Sequence, residues 1–119
     1  MILVDTSVWV GHFARRNARL SRLLDQGQVL THPFVIGELA LGSFRNREEI
    51  FRLLTALPEA RTLPHPNVLA LVDRRDLAGA GVGWVDAHLL ASALVDGAPI
   101  WTLDRALAAV ARRLGIHAD

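Results

Sequence analysis

The chain has 119 residues, 51% of them hydrophobic and 21% charged, which suits one buried core and argues against disorder. It contains no cysteine, so disulfide scaffolds, thiol nucleophiles and cysteine-ligated zinc or iron–sulfur centres are excluded. All 13 basic residues are arginine, against 12 acids and a formal net charge of +1. The missing lysine excludes P-loop ATPase, Schiff-base and kinase chemistry, and so small a net charge means that a nucleic-acid partner would need a local basic patch.

In chain order, Ile2–Val4 is a short apolar run suited to a buried parallel strand. The opening meets an acid at Asp5 after three apolar residues, unlike a secretory signal. Thr6 and Ser7 can cap a helical turn running to Phe13, and Asn17 can cap a second helix that stops at Gly27. Gln28–Thr31 reads as a small strand. Pro33 fits the first turn of a helix carrying Val35, Leu39 and Leu41. Arg47–Leu57 and Pro66–Leu77 are amphipathic helices, with a short strand expected between them at Arg61–Leu63. A glycine-rich link, Ala78–Gly83, leads into an apolar helix, Trp84–Val95, stopped by Gly97. Pro99–Thr102 is a strand, Asp104 caps a last helix ending near Gly115, and Ile116–Ala118 is a final edge strand. Strands alternating with helices indicate an α/β fold with a parallel sheet, helices on both faces, and one domain over residues 1–119. No run of about 20 apolar residues suggests a membrane span, so a cytoplasmic location without membrane partners is expected.

Four carboxylates sit in unusual surroundings. Asp5 directly follows the first strand, at the edge where open α/β sheets bind ligands, and its burial there would require hydrogen bonds or a cation. Glu38 lies among Val35, Ile36, Leu39 and Leu41. Asp86 has Leu89 and Leu90 at helical spacing, in a first turn that favours an anion. Asp104 follows Ile100-Trp101-Thr102-Leu103 as Asp5 follows its own strand; each could also be a plain helix cap. Brought together, four acids repel unless a cation neutralises them. An oxygen-only ligand set favours Mg²⁺, or Mn²⁺, over zinc. Such a site suits phosphodiester hydrolysis: the ion activates water and neutralises the leaving charge, and a free carboxylate takes the proton.

The pieces Ile2-Leu3-Val4-Asp5-Thr6-Ser7-Val8-Trp9, Val35-Ile36-Gly37-Glu38-Leu39, Val85-Asp86-Ala87-His88-Leu89-Leu90-Ala91-Ser92-Ala93 and Trp101-Thr102-Leu103-Asp104 span nearly the whole chain. In these, the chain resembles the PIN-domain family, most of all its VapC-type toxins from type II toxin–antitoxin pairs. The resemblance implies a PIN-like three-layer sandwich, with a central parallel five-stranded sheet of order 3-2-1-4-5 flanked by helices. It implies an acidic Mg²⁺ pocket formed by Asp5, Glu38, Asp86 and Asp104. Thr6 or Ser7 would supply a hydroxyl beside the first acid, with Thr102 as a further supporting hydroxyl. It also implies an endoribonuclease that cuts tRNA, rRNA or mRNA and stops translation, a cognate antitoxin that blocks the pocket, and a homodimer. Some members carry another acid just after the last; here Arg105, Ala106 and Leu107 follow, so a second metal position is not fully supplied.

RNA approaching an acidic pocket needs a basic rim, for which Arg15, Arg16, Arg45 and Arg105 are the phosphate-contact candidates; Arg19, Arg22 and Arg47 lie close to them in sequence. Trp9 could stack a base but, like Trp84 and Trp101, reads mainly as packing, and His88 reads as structural. Two alternatives use the same fold: a PIN nuclease of RNA maturation, and a non-catalytic RNA- or protein-binding module.

Overall fold

Three short strands and seven helices are built from these patterns, and the computed structural model describes all residues from Met1 to Asp119. In chain order they are β1 (Ile2–Val4), α1 (Thr6–Ala14), α2 (Ala18–Asp25), β2 (Val29–Leu30) and α3 (Pro33–Ala40). Then come α4 (Arg47–Ala56), α5 (His65–Arg74), α6 (Trp84–Asp96), β3 (Ile100–Trp101) and α7 (Arg105–Arg113). All pairing is parallel. The order is β2-β1-β3, with Leu3 opposite both Leu30 and Ile100. β1 is therefore the central strand, and the crossovers leave it in opposite directions. That reversal makes the carboxyl ends of β1 and β3 the switch point of the sheet, where open α/β folds form their ligand crevice.

The sheet has three regular strands, where the family resemblance implied five. At each edge pairing continues as one isolated parallel bridge, Thr31 with Glu59 and Ile100 with His117. The strand expected at Arg61–Leu63 is absent. Thr31 instead pairs with the Pro58 carbonyl and the Ala60 N–H, and the Arg61 N–H is drawn to the Asp96 carboxylate at 2.8 Å. Expected strand Ile116–Ala118 likewise contributes a single bridge. Helix boundaries fall within a few residues of expectation. α5 stops at Arg74 rather than Leu77, with Asp76 in the left-handed region at φ 55°. Gly97, at φ 64°, closes α6 as a left-handed cap.

The core runs through β1, α6, β3 and α7: Leu3, Val4, Leu89, Leu90, Ile100 and Leu107 are fully buried. α6 spans the longest helical stretch and has seven buried residues in succession, Ala87–Ala93. Such a helix is anchored on more than one side, which fixes the direction of its first turn and of Asp86.

The helix bearing Glu38 starts from a buried histidine. His32 Nδ1 accepts the Phe34 N–H at 3.0 Å, so that nitrogen carries no proton; Nε2–H then donates to Ser92 Oγ at 3.0 Å. Both residues are fully buried, and the pair ties α3 to α6. Burial, with the neighbouring His88 charge, lowers the His32 pKa to about 4 against a weaker opposing pull from Asp96.

Leu3→Ala should destabilise the protein by about 2–5 kcal/mol in urea denaturation, against less than about 0.5 kcal/mol for the exposed Leu53→Ala. An unfolded His32 binds its proton near pH 6.5 and the folded one near 4. Stability should therefore fall as pH drops from about 6.5 to about 4, and His32→Asn should flatten that dependence.

Candidate active site

Asp5 is 6% exposed at the end of the central strand. Its backbone N–H donates to the Trp101 carbonyl, and its side chain, rather than Thr6 or Ser7, caps α1. One carboxylate oxygen, Oδ2, takes all the hydrogen bonds: Ser7 Oγ at 2.7 Å, Thr102 Oγ1 at 2.7 Å and the Ser7 N–H at 3.4 Å. Each hydroxyl has one proton, and each gives it to Asp5. The 3.3 Å contact between Ser7 Oγ and Thr102 Oγ1 is thus an approach of two acceptors. Their lone pairs take backbone donors from the β3–α7 turn, Leu103 N–H to Ser7 at 2.9 Å and Asp104 N–H to Thr102 at 3.0 Å. The network locks the β1–α1 and β3–α7 junctions together and leaves Asp5 Oδ1 without a protein donor.

Glu38 is held from α1. Thr6 Oγ1 donates to Glu38 Oε1 at 2.7 Å, so the residue next to Asp5 fixes the second acid. Glu38 is exposed, contrary to the burial its apolar neighbours suggested. The reason is that Val35 and Leu39 make the buried face of α3, while Leu41 is 91% exposed on the open side beside Glu38.

Asp86 sits in the first turn of α6, half-buried, and its Oδ2 accepts the Gly83 N–H at 3.1 Å. Burial raises its pKa above the ordinary carboxylate value, the Gly83 hydrogen bond opposes this, and the negative fields of Asp5, Asp104 and Glu38 raise it further. Three acids remote in sequence thus act on a fourth. Asp104 is exposed and caps α7, its Oδ1 accepting the Leu107 N–H at 2.9 Å.

The four acids share a crevice but do not close on a point: no three His, Asp or Glu side chains form a group tight enough to enclose a metal ion. The donor set nonetheless fits a magnesium-like ion. Such ions keep several waters and take one or two protein carboxylates, and Asp5 is held through Oδ2 with Oδ1 free of protein donors.

Arg15, Arg16, Arg45 and Arg105 are all exposed. Arg105 opens α7 next to Asp104, whereas Arg15 and Arg16 follow the opposite end of α1 from Asp5. Stacking of Phe13 on Phe44, with ring centroids 4.6 Å apart, brings the segment carrying Arg45 to that end. Arg16 donates to Ser21 Oγ at 3.0 Å. Arg61 with Asp96 (3.6 Å) is the only arginine–carboxylate ion pair. The bond of Thr6 to Glu38, rather than to the first acid, escaped sequence reasoning; a hydroxyl in the first turn after Asp5 was its only signal.

Fold and site together define a family. The PIN domain family model matches residues 2–113, and the chain belongs to that family. It is 49% identical over 117 residues to Ribonuclease VapC32 of Mycobacterium tuberculosis, in strains CDC 1551 and H37Rv, covering 98% of this chain and 94% of the relative. Among solved structures it is similar to PAE2754 from Pyrobaculum aerophilum, with TM-score 0.62 and 20% identity, covering 92% of this chain and 78% of the other. FitAB bound to a DNA fragment aligns with TM-score 0.60 and 18% identity over 94% and 91% of the two chains. At these identities the two structures establish the fold. No helix of this chain is long and apolar enough to cross a membrane.

An acid whose folded pKa is raised favours the folded state at low pH and loses that contribution as pH rises through the folded value. Ionised Asp86 therefore opposes folding at neutral pH without a cation. In chelator at pH 7, Asp86→Asn should raise Tm by about 2–5 °C in calorimetry, and a lower Tm would contradict the crowding of charge at this site.

Proposed function

We propose that this protein is a Mg²⁺-dependent endoribonuclease, with Mn²⁺ as a substitute, acting as the toxin of a type II toxin–antitoxin pair. The observation that supports this reading is the placing of Asp5 and Asp104 directly after β1 and β3, with Glu38 tied to α1 by Thr6 and Asp86 in the first turn of α6. The near-full-length likeness to a protein named as a ribonuclease supports it.

Asp5, Glu38, Asp86 and Asp104 would hold the ion. When bound, it supplies charge neutralisation at the scissile phosphate and activation of water for attack on phosphorus. The protein's own groups do the rest. Ser7 and Thr102 pin Asp5 through Oδ2 and leave Oδ1 facing the crevice. Thr6 holds Glu38, so the exposed acid has one preferred orientation. A carboxylate of the four that is not fully taken up by the ion would accept the proton. The exposed arginines would contact phosphates: Arg105 next to the acids, and Arg15, Arg16 and Arg45 farther along the path of the RNA. Lacking carboxylate partners, they keep their full charge for that use.

The partners in this reading are a tRNA, rRNA or mRNA substrate, a cognate antitoxin covering the crevice, and a second copy of the chain in a homodimer. The location is cytoplasmic, where these RNAs take part in translation. The bridges at Glu59 and His117 support a sheet that extends to five positions in the order 3-2-1-4-5.

Sequencing of cellular RNA ends after induction, with Asp5→Asn as control, tests the activity and locates the cut together. Defined new ends should appear with the parent protein. Asp5→Asn or Asp86→Asn should lower cleavage at least about 100-fold while the circular dichroism spectrum is kept. Cleavage at an undiminished rate in either variant would refute the assigned roles.

A further inference from the structure

His12 stands in the last turn of α1, at the end away from Asp5, and the site described above makes no use of it. Its Nδ1 accepts the Asn17 backbone N–H at 2.9 Å, across the turn that joins α1 to α2. That turn carries Arg15 and Arg16, both exposed. The Arg15 N–H donates to the Gly11 carbonyl at 2.9 Å, Arg16 Nε donates to Ser21 Oγ at 3.0 Å, and Asn17 caps α2 by accepting the Leu20 N–H at 3.0 Å. The bond to His12 is the only one that an α1 side chain makes with the turn. An imidazole nitrogen that accepts an N–H carries no proton, so this bond exists only with the neutral ring, protonated at Nε2. A second proton, at Nδ1, would set two donors against each other and add a charge beside Arg16. The ring rests against Trp9 and Phe13 of its own helix, at 6.4 and 6.3 Å. The cations of this region are Arg15 and Arg16 on the turn, Arg19 and Arg22 on α2, and Arg45 on the segment that Phe44 brings against Phe13. Of the acids on neighbouring elements, Glu38 is bonded to Thr6 at the other end of α1, Asp25 ends α2, and Glu48 and Glu49 open α4. Burial first, and then Arg16, act on His12, and both lower its pKa.

We propose that His12 is the positioning residue of this arginine turn: the neutral ring holds Arg15 and Arg16 where they meet the phosphates of RNA, and protonation of the ring releases the turn. What the turn binds rests on the ribonuclease reading; its release rests on the His12 bond alone. Arg15 and Arg16 follow the far end of α1 from Asp5, so they serve an RNA held at the acids only while the turn keeps its place on that helix. Ordering two long side chains at the moment of binding costs affinity, and a turn already fixed lowers that cost. The direction with pH follows from the bond. The folded protein favours the neutral ring, so the turn is held above pH 6.5 and released as pH falls through a folded value that lies lower.

Amide hydrogen exchange at Asn17, read by NMR from about pH 8 to about pH 5 beside the His12 ring resonances and corrected for the intrinsic rate, tests the release. Asn17 should be protected at the upper end and lose its protection in step with the His12 titration, at a midpoint below 6.5. His12→Asn, whose Oδ1 stands where Nδ1 does and does not titrate, should keep the protection throughout, and His12→Ala should lack it throughout. The second arm is the anisotropy of a labelled single-stranded oligoribonucleotide bound to the Asp5→Asn protein at about pH 8, where the ring is neutral. Adding His12→Ala should weaken binding about five-fold, the scale of one hydrogen bond, and His12→Asn should leave it as it was. With Arg15 and Arg16 both changed to Gln, His12→Ala should have no further effect, because its role runs through them. Protection at Asn17 that ignores the His12 titration, or undiminished RNA affinity in His12→Ala, would overturn the proposal. A protein that cuts cellular RNA yet binds it equally with and without His12→Ala loses this inference alone. One that shows the coupling to Arg15 and Arg16 but does not cut loses the nuclease reading alone.

Discussion

Crowded negative charge at the carboxyl end of the central strand is the constraint to which the rest of the structure answers. Burying Asp5 is costly unless its charge is met, and the chain meets half of it with two hydroxyl protons delivered to a single oxygen. Those same hydroxyls accept from the β3–α7 turn, so satisfying Asp5 also docks β3 and α7 against β1 and α1. The site and the sheet junction are one construction. The remaining charge is left open to the crevice, near an Asp86 whose pKa is raised first by burial and then by the neighbouring acids.

Much of this architecture was readable because its signals are local. A three-residue apolar run before an acid marks β1; Asn17 and Asp104 cap the helices they precede; Gly97 ends α6. Such features depend on neighbours in the chain. The outer sheet positions were not readable in the same way. The strand expected at Arg61–Leu63 does not form, and the Arg61 N–H goes instead to Asp96, far along the chain. Such a tertiary contact leaves no mark in the local sequence.

The acids were legible to different degrees. Asp5 was expected to be buried at a strand end and is. Glu38 was singled out for apolar company, but that company faces the core through Val35 and Leu39 while Glu38 and Leu41 face water. Its link to the site is a hydrogen bond from Thr6, and no periodicity in α3 encodes a contact with α1. His32 joins α3 to α6 through Ser92, a contact that no local signal announces.

The central claim is that the crevice is incomplete without a divalent cation. Electron paramagnetic resonance of Mn²⁺ titrated into the metal-free protein tests it most directly. Saturable Mn²⁺ binding is predicted, displaced by Mg²⁺ and abolished by Asp5→Asn or Asp86→Asn. Mn²⁺ that stays free in solution, or binds both variants as it binds the parent protein, would contradict it.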